Sequence, residues 1–263
     1  METIYTKVRI CGNVIEVSHF EKPIIVGQAV KRSGSNYKRL TNWNVDNPKV
    51  KNRKDTALKA SHRMRQLIFT NFQKSYTFIT LTFNEECNLD ITSIKECNKA
   101  FSNFRKRLNH YLSKHHDGFA FKYIAVTEFQ ERNGRDAVHY HLVTELPYIK
   151  NEVLQKIWGN GMVDIKKHHK PPLEDERIIQ YMKKGIYDDR LDGHRKFLPS
   201  QNLLQPISLD GDKAETFLSY LEEHEYQMLK SEPYESMQYG TIRNETLKLD
   251  NHLIKEILYY EEN

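Results

Sequence analysis

Long apolar runs are absent from this 263-residue sequence. No stretch approaches the roughly 18 residues that would read as a membrane-spanning helix. The opening Met1-Glu2-Thr3-Ile4 also lacks the basic region and apolar run of a secretory signal, so the expectation is a cytoplasmic protein with no membrane partner. Cysteine is scarce. Cys11, Cys87 and Cys97 are an odd count without Cys-x-x-Cys spacing, which argues against a disulfide frame or a zinc knuckle and suits buried small hydrophobes in a reducing compartment. There is no Gly-x-x-x-x-Gly-Lys-Ser/Thr loop, so any strand unwinding the protein needs would come from a separate helicase. Internal repeats and low-complexity tracts are missing too.

What is present is a soluble composition with enough apolar and aromatic residues to build a core: 38% hydrophobic, 11% aromatic and 29% charged, with a mean hydropathy of -0.73. The net charge of +5 hides a gradient. Residues 1–75 carry 15 lysines and arginines against 5 acidic residues, whereas residues 201–263 carry 5 against 13. A basic first third suits phosphate binding, because each neutralised phosphate releases condensed counterions. A merely solvated basic face would look the same from composition alone.

Periodicity divides the chain into an N-terminal hairpin and basic extension over 1–54, a central domain over 55–200 and an acidic, partly helical region over 201–263. Alternation through Val8, Ile10, Val14, Ile15 and Val17 around Gly12-Asn13 predicts the hairpin. A helical pattern through Leu58, Met64, Leu67, Ile68 and Phe72 follows a basic run. The cations Lys51, Arg53, Lys54, Lys59, Arg63 and Arg65 would give DNA a positive side to meet. Tyr76 to Phe83 reads as a buried strand, and a helix follows through Ile91, Phe101, Phe104, Leu108 and Leu112. Two strands, Phe121 to Phe129 and Ala137 to Thr144, flank the turn-forming Arg132-Asn133-Gly134-Arg135. A short helix from Asn151 to Ile157, a strand through Met162, Val163 and Ile165 and a last helix after Pro171-Pro172 complete the domain. This order predicts an α+β fold, an antiparallel sheet of split βαβ (ferredoxin/RRM-like) type with helices mainly on one face. Lys213 to Leu229 reads as a further helix.

The chemistry-bearing segment is Ala137-Val138-His139-Tyr140-His141-Leu142-Val143. Strand side chains alternate, so His139 and His141 share a face and can grip one cation. The hairpin brings Glu128 or Gln130 alongside them, and two imidazoles with one carboxylate leave open positions for a substrate oxygen. His168-His169 face different ways and read as solvated residues. In the last helix Ile179, Met182 and Ile186 line one side and leave Arg177, Tyr181 and Lys184 on another. A phenol with a reference pKa near 10 needs nearby positive charge to act as a nucleophile, and Lys184 stands one turn from Tyr181. Taken singly, each motif is also compatible with an ordinary strand or an ordinary amphipathic helix.

Together and in order, a Phe-Ile-Thr-Leu-Thr-Phe strand, a His-Tyr-His strand and a helix with Tyr-x-x-Lys resemble the three successive motifs of rolling-circle replication initiators. Over roughly residues 55–200 the sequence resembles the HUH endonuclease superfamily, specifically the replication proteins of small bacterial plasmids and filamentous-type phages. The resemblance implies metal ligands at His139, His141 and Glu128, a nucleophile at Tyr181 and an auxiliary cation at Lys184. It also implies magnesium or manganese as cofactor, with zinc chemically possible, and a bacterial setting. Single-stranded or melted origin DNA would be the substrate, with a host helicase and polymerase as partners. Trp158 and the adjacent glycines would shape a turn.

Phage-type initiators often carry a second tyrosine four residues after the first, and here that place is Gly185. Tyr187, six residues along a continuing helix, would point to another face. Two other readings remain at this point. His139-x-His141 followed by Glu145 loosely matches a cupin metal motif and would make a metal-dependent small-molecule enzyme. Alternatively, the protein binds origin DNA without catalysis.

Overall fold

The computed structural model describes residues 2–26, 48–130, 136–250, 253, 254 and 256. The elements in chain order are β1 (Glu2–Cys11), β2 (Val14–Val26), α1 (Pro48–Asn71), β3 (Tyr76–Thr82), α2 (Ile94–His115), β4 (Lys122–Gln130) and β5 (Ala137–Glu145). Then come α3 (Asn151–Trp158), β6 (Val163–His168), α4 (Glu176–Ile186), β7 (Leu198–Pro199), β8 (Ile207–Asp210), α5 (Gly211–Glu222), β9 (Gln227–Ser236) and β10 (Gly240–Lys248). They form two units, one of Met1–Pro48 with Gln205–Asn263 and one of Lys49–Leu204. The sequence reading places the flanks 1–54 and 201–263 as separate segments. In the structure they share a sheet, because β10 pairs with β2 from Val14↔Lys248 to Phe20↔Ile242.

In the flanking unit the strand order is β8-β1-β2-β10-β9, antiparallel throughout. Val8, Ile10, Ile15 and Val17 from one end of the sequence pack with Leu209, Phe217, Leu221 and Leu247 from the other. Burying each such side chain is worth about 1.5–3 kcal/mol, so neither half completes this core alone. The helix expected over 213–229 stops at Glu222. Its apolar spacing, Ala214, Phe217 and Leu221, ends there, and from Gln227 the backbone pairs with β10 instead.

The central unit has the order β6-β3-β5-β4-β7, and the succession β3-α2-β4-β5-α3-β6 is the split βαβ arrangement. Helix α2 starts at Ser93, whose hydroxyl accepts from the Glu96 N–H, while the Glu96 carboxylate accepts from the Asp90 N–H. Its apolar stripe, Cys97, Phe101, Phe104, Leu108 and Leu112, joins Leu154 and Trp158 of α3. They cover the sheet face built by Ile79, Leu81, Val138, Tyr140 and Leu142. Two helices therefore cover one face, as expected.

The opposite face receives α4, which buries Ile178, Ile179, Met182 and Ile186. Gly185 lets this helix lie close to β4, since a Cβ there would sit 2.3 Å from the Thr127 carbonyl oxygen. At the sheet's end the Trp158 indole donates to the Thr82 carbonyl at 2.8 Å. Gly161, at φ +155, has its missing Cβ 2.3 Å from the same oxygen. Both contacts fix the end of α3 and the start of β6 against β3. Among the cysteines, Cys11 and Cys97 are buried, Cys87 is half-buried, and all three are free. Among the described residues no helix is long and apolar enough to cross a membrane.

Candidate functional site

Strand alternation sets the site. His139 lies opposite Thr82 on β3 and Glu128 on β4, and His141 lies opposite Thr80 and Val126. Their side chains emerge on the α4 side of the sheet, with the aromatic core behind them. A cavity of 780 Å³ opens there, lined by Glu128, His139, His141, Tyr181 and Lys184 among others. Gln130 lines it too, but it is Glu128 that contacts His141. Residues from three separate motifs therefore share one cleft.

The distances are short. Tyr181 donates its hydroxyl hydrogen to Glu128 Oε2 at 2.9 Å and lies 3.2 Å from His141 Nε2. His141 Nε2 is 2.7 Å from Glu128 Oε2, and Lys184 Nζ donates to Glu128 Oε1 at 2.9 Å. Thr80 Oγ1 stands 3.1 Å from His141 Nδ1. With the imidazole hydrogen assigned to Nε2, His141 donates to Glu128 and accepts from Thr80. Phe78 stacks parallel to the His141 ring at 5.7 Å and meets the Tyr181 ring edge-on at 5.8 Å. Only 4% of His141 is exposed, so its orientation is fixed by packing as well as by hydrogen bonds.

The electrostatics follow from these contacts. The hydrogen bond from His141, helped by Lys184 and Tyr181, outweighs burial and holds the Glu128 carboxyl at about 2. Burial first, and then the neighbouring His141, lowers the His139 pKa, which favours the neutral imidazole a metal would need. Tyr181 is pushed up to about 12, by burial and then by its hydrogen bond and charge contact with Glu128. In metal-free protein Glu128→Gln should therefore move the Tyr181 phenol back toward 10, since both carboxylate contributions disappear. NMR titration of ring-labelled tyrosine, with Tyr181→Phe for assignment, measures this. An unchanged midpoint would contradict the stated cause.

Other predicted residues fall elsewhere. Arg177 is exposed, with its Nε 3.5 Å from Asp175. Arg53 pairs with Asp192 at 2.6 Å, and Arg65 lies over the Phe69 ring at 5.9 Å. Lys54 and Lys59 are exposed and Arg63 is half-buried. None of these cations lines the cavity, and the Lys51 side chain is outside the described residues. His168 is not simply solvated, because it lies opposite Tyr76 in the sheet and stacks on that ring at 4.4 Å.

Tyr187 requires a correction. The helix ends at Ile186, so the six-residue helical count does not extend to Tyr187, and it lines the same cavity as Tyr181. Sequence reasoning also missed Thr80 and Arg190. The Arg190 guanidinium sits 4.2 Å over the Phe129 ring and pairs with Asp188 and Asp136 at 2.6 and 2.9 Å. Only alternation along Phe78-Ile79-Thr80, counted from a known register, could have flagged Thr80, and no sequence pattern marks Arg190.

Glu145 lies opposite Lys122, six positions along β5 from His139. The open sheet flanked by helices is also not the double-sheet strand barrel a cupin needs. The cupin reading falls on both counts.

Whether this residue set suits a divalent ion rests on donor chemistry. Two imidazoles and one carboxylate face one polar cleft, a set that fits a divalent metal with open positions. In the arrangement described, Glu128 is turned toward His141, Tyr181 and Lys184. Among the described residues no three His, Cys, Asp or Glu side chains already form a metal-type cluster. Neither a curated protein nor a solved structure matches the chain. A family match does exist, and it runs from the first residue of β3 to the last of α4, the stretch that contributes Thr80, Glu128, both histidines, Tyr181 and Lys184. Residues 76–186 belong to the replication-associated protein family of the ORF2 type, a rolling-circle replication initiator family of the HUH class.

Proposed function

We propose that the protein nicks and rejoins single-stranded or melted origin DNA through a 5'-phosphotyrosine at Tyr181. The observation that carries this reading is the convergence of the Tyr181 hydroxyl on Glu128 and His141, 53 and 40 residues away in sequence. Tyr181 Oη attacks the scissile phosphorus in line. A P–O bond forms to the tyrosine as the P–O3' bond breaks; the phenol proton is lost to solvent, and the leaving oxygen takes one up as a free 3'-hydroxyl. Attack by such a hydroxyl reverses the step and restores the strand, so the covalent bond conserves the energy for rejoining.

Glu128, His139 and His141 would hold magnesium or manganese, which when bound polarises a phosphoryl oxygen. Lys184 brings positive charge to the same place and, relieved of Glu128, can meet a phosphate oxygen. Arg53, Lys54, Lys59, Arg63, Arg65 and Arg177, with Lys51, would contact the backbone of the bound strand. A host helicase and polymerase would open and extend the DNA.

Thr80 should act through His141, because a metal-bound Nε2 leaves Nδ1 to donate to the Thr80 hydroxyl. Thr80→Val is expected to weaken manganese binding roughly 10–100-fold. Isothermal titration with Mn²⁺ measures it, and wild-type affinity in the variant would remove Thr80 from the site. The function itself is tested by incubating protein, Mn²⁺ and a labelled single-stranded oligonucleotide pool, then looking for an adduct that survives denaturation. An adduct that forms equally well without Tyr181 defeats the reading, as does no adduct at all on origin-derived DNA. The second outcome would favour a protein that binds origin DNA without cutting it.

A further inference from the structure

A second cavity, of 850 Å³, adjoins the catalytic one and shares Thr82, Gln130 and His139 with it. Its size falls within the roughly 300–1,000 Å³ typical of formed ligand pockets. It lies where β3 ends and β6 begins, beneath α3. Its polar lining comes from Asn84, Gln130, Glu152, Gln155 and Lys156, and Met162 adds an apolar edge that is 70% exposed. None of those five polar side chains makes a hydrogen bond or ion pair within the described residues. Their donors and acceptors are therefore available to a ligand.

The frame around them is fully engaged. Besides the Trp158 and Gly161 contacts with Thr82, the Asn160 side-chain amide donates to the Trp158 carbonyl at 2.8 Å, and the Asn84 N–H donates to the Asn160 carbonyl at 2.8 Å. Arg107 holds the Ile157 and Trp158 carbonyls, both at 2.8 Å. A rigid wall carrying unsatisfied amides is the arrangement of a reading pocket, one whose partner must supply matching donors and acceptors.

Resting on the nicking reading, we propose that this second cavity receives one nucleobase of the bound strand, close to the phosphate at Tyr181, and selects it by its hydrogen-bonding edge. A strand whose phosphate lies beside His139 has this cavity as its next available space. Asn and Gln amides match base edges in pairs of donor and acceptor, and Glu152 can accept from an exocyclic amino group. Met162 gives the base's flat face an apolar contact. Lys156 can take the neighbouring phosphate. Because the cavity is not the reacting centre, Asn84 and Gln155 set specificity and leave the chemistry to the adjoining cleft.

The test needs no covalent step. Tyr181→Phe protein is used to select binders from a randomised single-stranded DNA library, and the bound pool is sequenced. The same selection is run with Asn84→Ala and Gln155→Ala added to that background, with circular dichroism to check the fold. The parent should enrich a motif with one strongly biased position. The added substitutions should flatten that position at least fivefold and leave the remainder of the motif unchanged. Full retention of the motif by both variants, or equal loss at every position in folded protein, overturns the proposal, as does a parent pool with no base preference. Failure of the nicking reading would appear separately, as absence of adduct with unsubstituted protein.

Discussion

Replacing Tyr181 with phenylalanine should lower covalent adduct formation by roughly a thousandfold or more, the scale expected when the attacking atom is removed. Stability should hardly change, because the ring's edge contact with Phe78 is kept and only hydrogen bonds at a 42% exposed hydroxyl-bearing side chain are lost. The pairing of these results is the informative part. A variant that unfolds would lose adduct for the wrong reason, whereas one with unchanged thermal melting and no adduct isolates the phenol oxygen. Non-covalent DNA binding should persist, measurable by fluorescence anisotropy. If adduct persists in Tyr181→Phe, Tyr187 becomes the first residue to examine, since it borders the same cleft.

The second large effect should come from a methyl group. Gly185→Ala puts a Cβ 2.3 Å from the Thr127 carbonyl oxygen and 3.7 Å from the Val126 Cβ. Backbone cannot yield as a flexible side chain does, so α4 must lift or slide on β4. Overpacking of this kind costs about 1–3 kcal/mol, and each kcal/mol lowers the melting temperature by about 2–4 °C in a domain of this size. The effect on function should be larger. Tyr181 and Lys184 ride on the same helix, and a displacement near 1 Å costs on the order of a hundredfold in rate. Adduct rates measured well below the melting transition separate the two effects. Wild-type activity in Gly185→Ala would show that the helix position is not critical. The same contact explains why a tyrosine four residues after Tyr181 has no room here.

The central sheet was legible because its signals are local. Alternation alone puts His139 and His141 on one face, and helical spacing alone separates Ile179, Met182 and Ile186 from Tyr181. The third ligand candidate was not settled by spacing, because sliding the hairpin register by two residues exchanges Glu128 for Gln130 on the same face. Thr80 escaped notice for a related reason: its place beside His141 depends on pairing between β3 and β5, 61 residues apart. The end of α4 was misjudged because Gly185 serves a close approach inside the helix and no proline or cap signal marks Ile186. The strands after residue 226 left little trace, since Gln227–Glu235 is exposed along its whole length and so carries no alternation between buried and open positions.

The pairing of β2 with β10 has a consequence for how the molecule is made. The first hairpin leaves the ribosome early, but the strand that completes its sheet is translated only after the entire nuclease segment. Its exposed edge must wait through that interval. Trimming the acidic third from a gene would leave the first hairpin without its partners, whereas excising the stretch from Lys49 to Leu204 takes one unit out whole.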